Sequence, residues 1–290
     1  MTSRLAAAPS GTQRTPWFAS WFDSAHYHRL YNYRNDGEAS RFIDALIARL
    51  RPAEGADILD LGCGSGRHSK YLASKGFRVT GLDLSPGSIT AAKRFETAGL
   101  RFRRHDMRVP FGHQEYDGVF SFFTSFGYFD DLAEHLAVVR NMADALRPGG
   151  VIVVDYLNVR YAEARVSPEE TRTIDGTTYT VTRWSDARHF FKRIVVDDRR
   201  QDEPIEYRER VAKFGLDEFR RMFRCCGLRM EQVFGDYTLG AYDTQSSPRT
   251  IMVARKAPGA GLSPREVLSN AAEGFWREPE VRREHPLWHA

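Results

Sequence analysis

Ile58-Leu-Asp-Leu-Gly-Cys-Gly-Ser-Gly66 decides how the rest of this 290-residue chain is read. An apolar run carries an acid, Asp60, near its end. Three glycines follow at every second position, Gly62, Gly64 and Gly66, and a helical pattern begins at Arg67. Glycine tolerates positive φ and lets a ligand approach the backbone where a Cβ would otherwise stand. A plain strand-to-helix turn is the simplest account of such a stretch. A dinucleotide site is another, but its fingerprint is G-x-G-x-x-G, with a pyrophosphate on the helix N-terminus. Here the spacing is G-x-G-x-G. Asp60 sits where it would repel a pyrophosphate and attract an ammonium group, so a ligand with an amino-acid end is favoured over a dinucleotide.

Working outward, the chain alternates two periods. Upstream, Glu38 to Leu50 carries apolar residues at helical spacing and stops before Pro52. From Ala56 to Asp155, apolar runs predict strands at Ile58 to Leu61, Arg78 to Asp83, Arg101 to His105, Asp117 to Phe123 and Val151 to Asp155. Helical patterns fall between them, at Arg67 to Ser74, Pro86 to Thr97 and Asp131 to Leu146. Ser85-Pro86 is a helix start, and Arg147-Pro148-Gly149-Gly150 is a stop followed by a turn. Strands alternating with helices imply right-handed βαβ units and a parallel sheet. Arg172 to Lys213 breaks the pattern with three β-rich runs and a tight Asp175-Gly176 turn, which predicts a small antiparallel insertion. Leu216 to Cys226 then reads as a helix capped by Gly227. Leu228 to Phe234 and Thr250 to Ala254 read as the last strands, and Pro264 to Phe275 as a helix in a C-terminal extension.

Bulk composition excludes several classes. The hydrophobic fraction of 42% supports a real core, and no apolar run has the length of a membrane span. Met1 to Pro16 is polar, without the apolar stretch of a secretory signal, and is expected to be a disordered tail. Cys63, Cys225 and Cys226 offer neither metal spacing nor a good disulfide pair, which suggests a reducing, cytoplasmic setting. A net charge of +4 permits a nucleic-acid partner without demanding one.

The glycine turn and the strands that follow it resemble the class I S-adenosylmethionine (SAM)-dependent methyltransferases, strongly over Ala56 to Asp155 and loosely elsewhere. The resemblance implies an α/β fold: a Rossmann-like seven-stranded, mostly parallel sheet with helices on both faces and the antiparallel β insertion after the fifth strand. It divides the chain into a tail (1–16), a cofactor-binding core with N-terminal lid helices (17–171), a substrate-side insertion (172–214), the end of the core (215–257) and an extension (258–290). It places Gly62, Cys63 and Gly64 against the methionine part of SAM, with Asp60 helping to hold the ammonium group.

The later strand ends fit the same ligand. An acid ending the second strand, Asp83, can accept from both ribose hydroxyls, with Leu84 packing on adenine. Taken alone it would be a helix N-cap. After the third strand, Asp106 matches the acid that accepts from the adenine amino group in that family, and Met107 the next residue, which contributes a backbone N–H. A loop acid paired with Arg108 or another nearby arginine is the alternative for Asp106. The fourth strand leads into Phe122-Phe-Thr-Ser-Phe-Gly-Tyr-Phe129, and Phe122 joins the expected cofactor contacts. This stretch resembles glycine and amino-sugar N-methyltransferases, which place a His where this chain has Tyr128. A tyrosine positions an acceptor by hydrogen bonding, but with an unperturbed pKa near 10 it is a weak base at neutral pH. Packing against Phe126 and Phe129 is the alternative for Tyr128. Within the aromatic stretch Trp17 to Arg34, Tyr27, Tyr31, Tyr33 and Arg34 are candidates for folding over SAM, and core aromatics on an amphipathic helix are the alternative.

Methyl transfer from a sulfonium needs alignment and a dry pocket more than acid–base chemistry. The expected reaction is therefore SAM-dependent methylation of a small-molecule acceptor, at N or O, such as a natural-product intermediate, an amino sugar or an amine. S-adenosyl-L-homocysteine would be the product. No metal and no membrane partner are expected, and the oligomeric state is not legible. RNA methylation is the runner-up, because basic residues crowd the insertion (Arg172, Arg183, Arg188, Lys192, Arg193, Arg199, Arg200), but acids intervene. A non-catalytic SAM-binding protein and a dehydrogenase are the readings from other classes.

Overall fold

The strand and helix periods resolve into one layered α/β architecture. A computed structural model describes residues 16–31 and 36–257. Two short helices, α1 (Trp17–Phe22) and α2 (Ala25–Leu30), precede α3 (Asp36–Leu50). The core follows as β1 (Asp57–Leu61), α4 (Arg67–Ser74), β2 (Arg78–Asp83), α5 (Pro86–Ala92), β3 (Leu100–Arg104), β4 (Tyr116–Ser121), α6 (Leu132–Ala145) and β5 (Leu146–Leu157). Next come α7 (Val159–Arg165), β6 (Glu169–Ile174), β7 (Thr177–Ser185), β8 (His189–Asp198), β9 (Ile205–Ala212), α8 (Leu216–Cys225), β10 (Leu228–Phe234) and β11 (Arg249–Lys256).

The main sheet has seven strands in the order β10-β11-β5-β4-β1-β2-β3. Its β1–β5 pairings are parallel, and β11 runs antiparallel between β5 and β10. The central strands are buried on both faces, which explains why they read as near-continuous apolar runs. Ser85 caps α5 by accepting from Ser88 N, with Pro86 in the first turn. Leu146 already pairs with Tyr116, and Arg147 to Gly150 then loop out before Val151 pairs with Gly118. The expected turn is therefore a register shift within β5 rather than a gap before it. Among the described residues, no helix is long and apolar enough to cross a membrane.

The second sheet, β6-β7-β8-β9, has four antiparallel strands, one more than the three β-rich runs expected. Its added strand, β6, begins at Glu169, ahead of the expected boundary at 172. β6 is a mostly exposed edge strand, so no apolar alternation marks it. Neither does any apolar stripe mark α7, which buries no residue. The helix expected at Pro264 to Phe275 and the tail before Pro16 lie outside the described residues.

One core residue makes stability depend on pH. His135 of α6 sits among the rings of Phe126, Phe129 and Phe214, with centroids at 5.2, 5.1 and 4.8 Å. Its Nδ1 is 2.7 Å from the Asp131 carbonyl oxygen. Burial pushes the imidazole from 6.5 down to about 4. Because the folded-state value is depressed, the unfolded chain takes up the proton first as pH falls. Stability should drain away between about pH 6.5 and 4, by about 3 kcal/mol for this group. Urea unfolding of His135→Leu at pH 7 and pH 4.5 should give a smaller difference between the two pH values than the parent chain does. An identical difference would refute the assignment.

Candidate functional site

The sheet order reverses between β1 and β4, and in open α/β sheets ligands occupy the crevice beyond the strand ends at such a point. A cavity of about 250 Å³ lies there. The turn after β1, the ends of β2 and β3, the exit of β4 and the α1–α2 segment wall it.

The three glycines of the turn all have positive φ, at 79°, 54° and 82° for Gly62, Gly64 and Gly66. Their surroundings differ. A Cβ on Gly62 would stand 2.5 Å from Ser125 Cβ, and one on Gly66 would stand 2.5 Å from the Phe102 ring. A Cβ on Gly64 would meet nothing within 4 Å. Gly62 and Gly66 therefore serve the protein's own close packing, and Gly64 leaves a cradle open to the cavity. Gly64 N donates to Asp83 Oδ2 at 2.8 Å, and Ser85 N donates to Asp83 Oδ1 at 2.9 Å. Burial raises the Asp83 carboxyl above its ordinary range, against these hydrogen bonds.

Asp60, expected to help hold the ammonium group, directly or through water, lies behind the turn. It is 1% exposed and does not line the cavity. Its Oδ2 accepts from Ser69 Oγ at 2.5 Å, and burial raises it to about 6. Burial, with the Asp60 charge, raises the thiol of Cys63, which does line the cavity.

Asp106 and Met107 both line the cavity. Asp106 is also paired with Arg108, which donates through its backbone N at 2.9 Å and through Nη2 at 2.7 Å. Burial pushes Asp106 up, but these Arg108 hydrogen bonds outweigh it and hold the carboxyl below the usual range. Arg108 in turn reaches Glu134. Asn141 Nδ2 donates to the Met107 carbonyl at 3.0 Å and steadies this loop.

The exit of β4 holds a feature that sequence reading missed. Phe123 and Thr124 both have positive φ, 55° and 59°, which costs a non-glycine residue about 1–2 kcal/mol. Asp155, on the neighbouring β5, offsets that cost. Phe123 N donates to its Oδ2 at 2.8 Å, and Thr124 N donates to its carbonyl at 3.0 Å. Arg249 Nε donates to Asp155 Oδ1 at 2.7 Å, while Arg249 Nη2 donates to Thr124 Oγ1 at 2.9 Å. Tyr237 adds its hydroxyl to Asp155 at 3.1 Å. The loop so held presents Phe122, Phe123, Ser125 and Tyr128 to the cavity.

The α1–α2 segment closes the opposite side. Phe22, Tyr27 and Tyr31 line the cavity, and Tyr128 packs against Trp17 and Phe22 with centroids at 5.6 and 5.0 Å. The aromatic stretch divides: Phe22, Tyr27 and Tyr31 face the cavity, while Trp21 is buried against the second sheet. Trp21 Nε1 donates to Glu209 Oε1 at 2.6 Å. Lys192 Nζ donates to Glu209 Oε2 at 2.6 Å and to the Tyr31 hydroxyl at 2.8 Å. Burial opposes the Lys192 charge, but Glu209 outweighs it and raises the amine above its ordinary range. Burial, with Glu209, pushes the Tyr31 phenol up to about 12, so it stays protonated. Tyr33 and Arg34 lie outside the described residues. Sequence reading also passed over His28, Ser88 and Arg67 as cavity residues.

The basic run of the insertion is largely neutralised. Arg183 pairs with Glu170, Arg193 with Glu206, Lys192 with Glu209 and Arg200 with Asp198. Paired cations offer less to a phosphate backbone than free ones.

Comparison with known proteins agrees with this geometry. Residues 58–150 match the family described as methyltransferase domain. The dTDP-3-amino-3,4,6-trideoxy-alpha-D-glucopyranose N,N-dimethyltransferase of Streptomyces venezuelae is 29% identical over 205 residues, 68% of this chain and 85% of that one. A SAM-dependent methyltransferase structure from Clostridium acetobutylicum superposes with a TM-score of 0.68 at 16% identity, covering 80% of this chain and 97% of the other. The sugar N-methyltransferase KedS8 from Streptoalloteichus superposes at 0.63 and 20% identity, covering 88% and 100%. With the reversed sheet order, the antiparallel β11 and the glycine turn at the switch point, the chain has the fold of the SAM-dependent methyltransferases, and its residues 58–150 match their methyltransferase domain.

Proposed function

We propose that the chain methylates a nitrogen of a small-molecule amine, with SAM as donor. The observation that carries this reading is the open cradle at Gly64, which faces the same cavity as Asp83, Asp106 and Tyr128. That donor set suits a zwitterionic nucleoside sulfonium: an open backbone for the methionine part, a half-buried acid for ribose and a loop amide for adenine. Gly62, Cys63 and Gly64 would follow the methionine part, with Asp60 supplying field from behind. Asp83 would accept from the ribose hydroxyls, while Leu84, Asp106 and Met107 would hold adenine. Phe122 and Tyr27 would enclose the cofactor. Bound SAM supplies an activated methyl group on sulfur. The chain's own residues then bind, align and keep out water, which is where most of the barrier reduction comes from in such a displacement.

Tyr128 is the proposed acceptor-positioning group, its ring fixed against Trp17 and Phe22. A neutral amine attacks with its own lone pair, so no strong base is required. The aromatic enclosure and the amino-sugar activity named for the Streptomyces relative both support an amine on a compact molecule. A cytoplasmic setting belongs to the same proposal and is supported by three free thiols.

The test has two arms. Incubation with methyl-labelled SAM and a panel of amino sugars and simple amines should label at least one amine. Label carried only by hydroxyl acceptors or RNA, or none at all despite SAM binding, would overturn the nitrogen reading. In calorimetry, Asp83→Ala should weaken SAM binding by about 1–3 kcal/mol, the cost of leaving buried polar groups unpaired. Unchanged affinity in a folded variant would remove the ribose assignment.

A further inference from the structure

We propose that His28, carried on α2, is a second binding residue for the ribose of the nucleoside cofactor, opposite Asp83. The proposal rests on the cofactor reading above.

A vicinal diol presents two O–H donors and also lone pairs that need donors of their own. Asp83 is an acceptor only, and it already receives Gly64 N and Ser85 N. It can take the diol's protons but can give nothing back. A donor is therefore wanted at the same end of the cavity. His28 lines the cavity together with Asp83, Ser85 and Ser88. Its Nε2 lies 3.5 Å from Ser88 Oγ, so the ring and the hydroxyl form a donor-bearing pair on that wall. A charge on the ring also acts on the Asp83 carboxylate, which places the two groups within electrostatic reach.

The placement of His28 is built in. Asp23, in the turn between α1 and α2, reaches the turn between β2 and α5 that begins beside Asp83. Its Oδ1 accepts from Ser85 Oγ at 2.5 Å and from Gly87 N at 2.7 Å. Ser24 Oγ accepts from Tyr27 N at 3.1 Å and starts α2 at that point. One carboxylate thus hooks α1–α2 onto the strand end that carries the ribose acid, and His28 lies on the next turn of chain. Asp23 is a positioning residue and His28 the binding residue.

Calorimetry with S-adenosylhomocysteine and with its 2′,3′-dideoxy analogue tests this. The parent chain should bind both. His28→Ala should bind S-adenosylhomocysteine about tenfold more weakly, the scale of one hydrogen bond, yet bind the dideoxy analogue as the parent does. His28→Gln keeps an N–H donor and should recover most of the loss. An unchanged thermal midpoint without ligand shows that each variant is folded. The proposal is overturned if His28→Ala matches the parent on S-adenosylhomocysteine, or if it loses equally on both ligands, which would mean lid packing. It is also overturned if His28→Gln recovers nothing. If the parent chain binds neither ligand, the cofactor reading falls and takes the proposal with it. If Asp83→Ala weakens binding and His28→Ala does not, this proposal alone falls.

Discussion

Arg249→Ala should cost about 3–5 kcal/mol of folding stability, read as a lower urea midpoint with an unchanged slope. The reason is the carboxylate it would strand. Asp155 is 1% exposed and sits at the end of β5, and Arg249 on the adjacent β11 neutralises it. Removing the guanidinium leaves a buried charge whose carboxylate keeps, among the described residues, the Tyr237 hydroxyl and the Phe123 amide as hydrogen-bond donors. The damage should also reach the cavity, because Arg249 holds Thr124 in its left-handed conformation. Asp155→Asn in the Arg249→Ala background should recover part of the loss, since it deletes the uncompensated charge while keeping an acceptor. An Arg249→Ala midpoint equal to that of the parent chain would show that the pair contributes nothing.

The second large effect separates glycines that look alike in sequence. Gly62→Ala puts a Cβ 2.5 Å from Ser125 Cβ at a φ of 79°. Overpacking and backbone strain together should cost about 2–4 kcal/mol. Gly64→Ala meets no neighbour and should cost only the strain of a left-handed alanine, about 1–2 kcal/mol. Its effect should fall on the ligand instead: SAM affinity should drop at least tenfold, because the new methyl group stands in the cradle. Denaturation and calorimetry on the two variants read the contrast. Equal losses of stability, or normal SAM binding by a folded Gly64→Ala, would contradict the division of labour.

Much of the core was legible because its signals are local. β2 and α4 fall on the expected residues, and Ser85-Pro86 starts α5 as read. Each depends on a period of two or 3.6 and on a cap a few residues away. The cavity wall was legible for a related reason. In successive parallel βαβ units the C-terminal ends of the strands come together, so Gly64, Asp83 and Asp106 could be gathered without knowing any contact distance. What escaped was either solvent-facing or distant. α7 and β6 lack an apolar pattern because they bury little. Asp155 and Arg249 are 94 positions apart, and Lys192 and Tyr31 are 161 apart.

By itself, then, the sequence determined the α/β alternation, the switch-point glycine turn and the acids at the ends of successive strands, since these follow from backbone periodicity and from steric freedom at single residues. Only the tertiary structure decided which glycine leaves a Cβ-sized space at the cavity, that Asp60 lies behind the turn rather than on the cavity, and that Asp155 and Arg249 hold the exit of β4. Those outcomes depend on what packs against each residue in space. The Phe102 ring, Ser125, Ser69 and β11 reach the turn and the strand ends through the folded sheet, and nothing in the local chain specifies them.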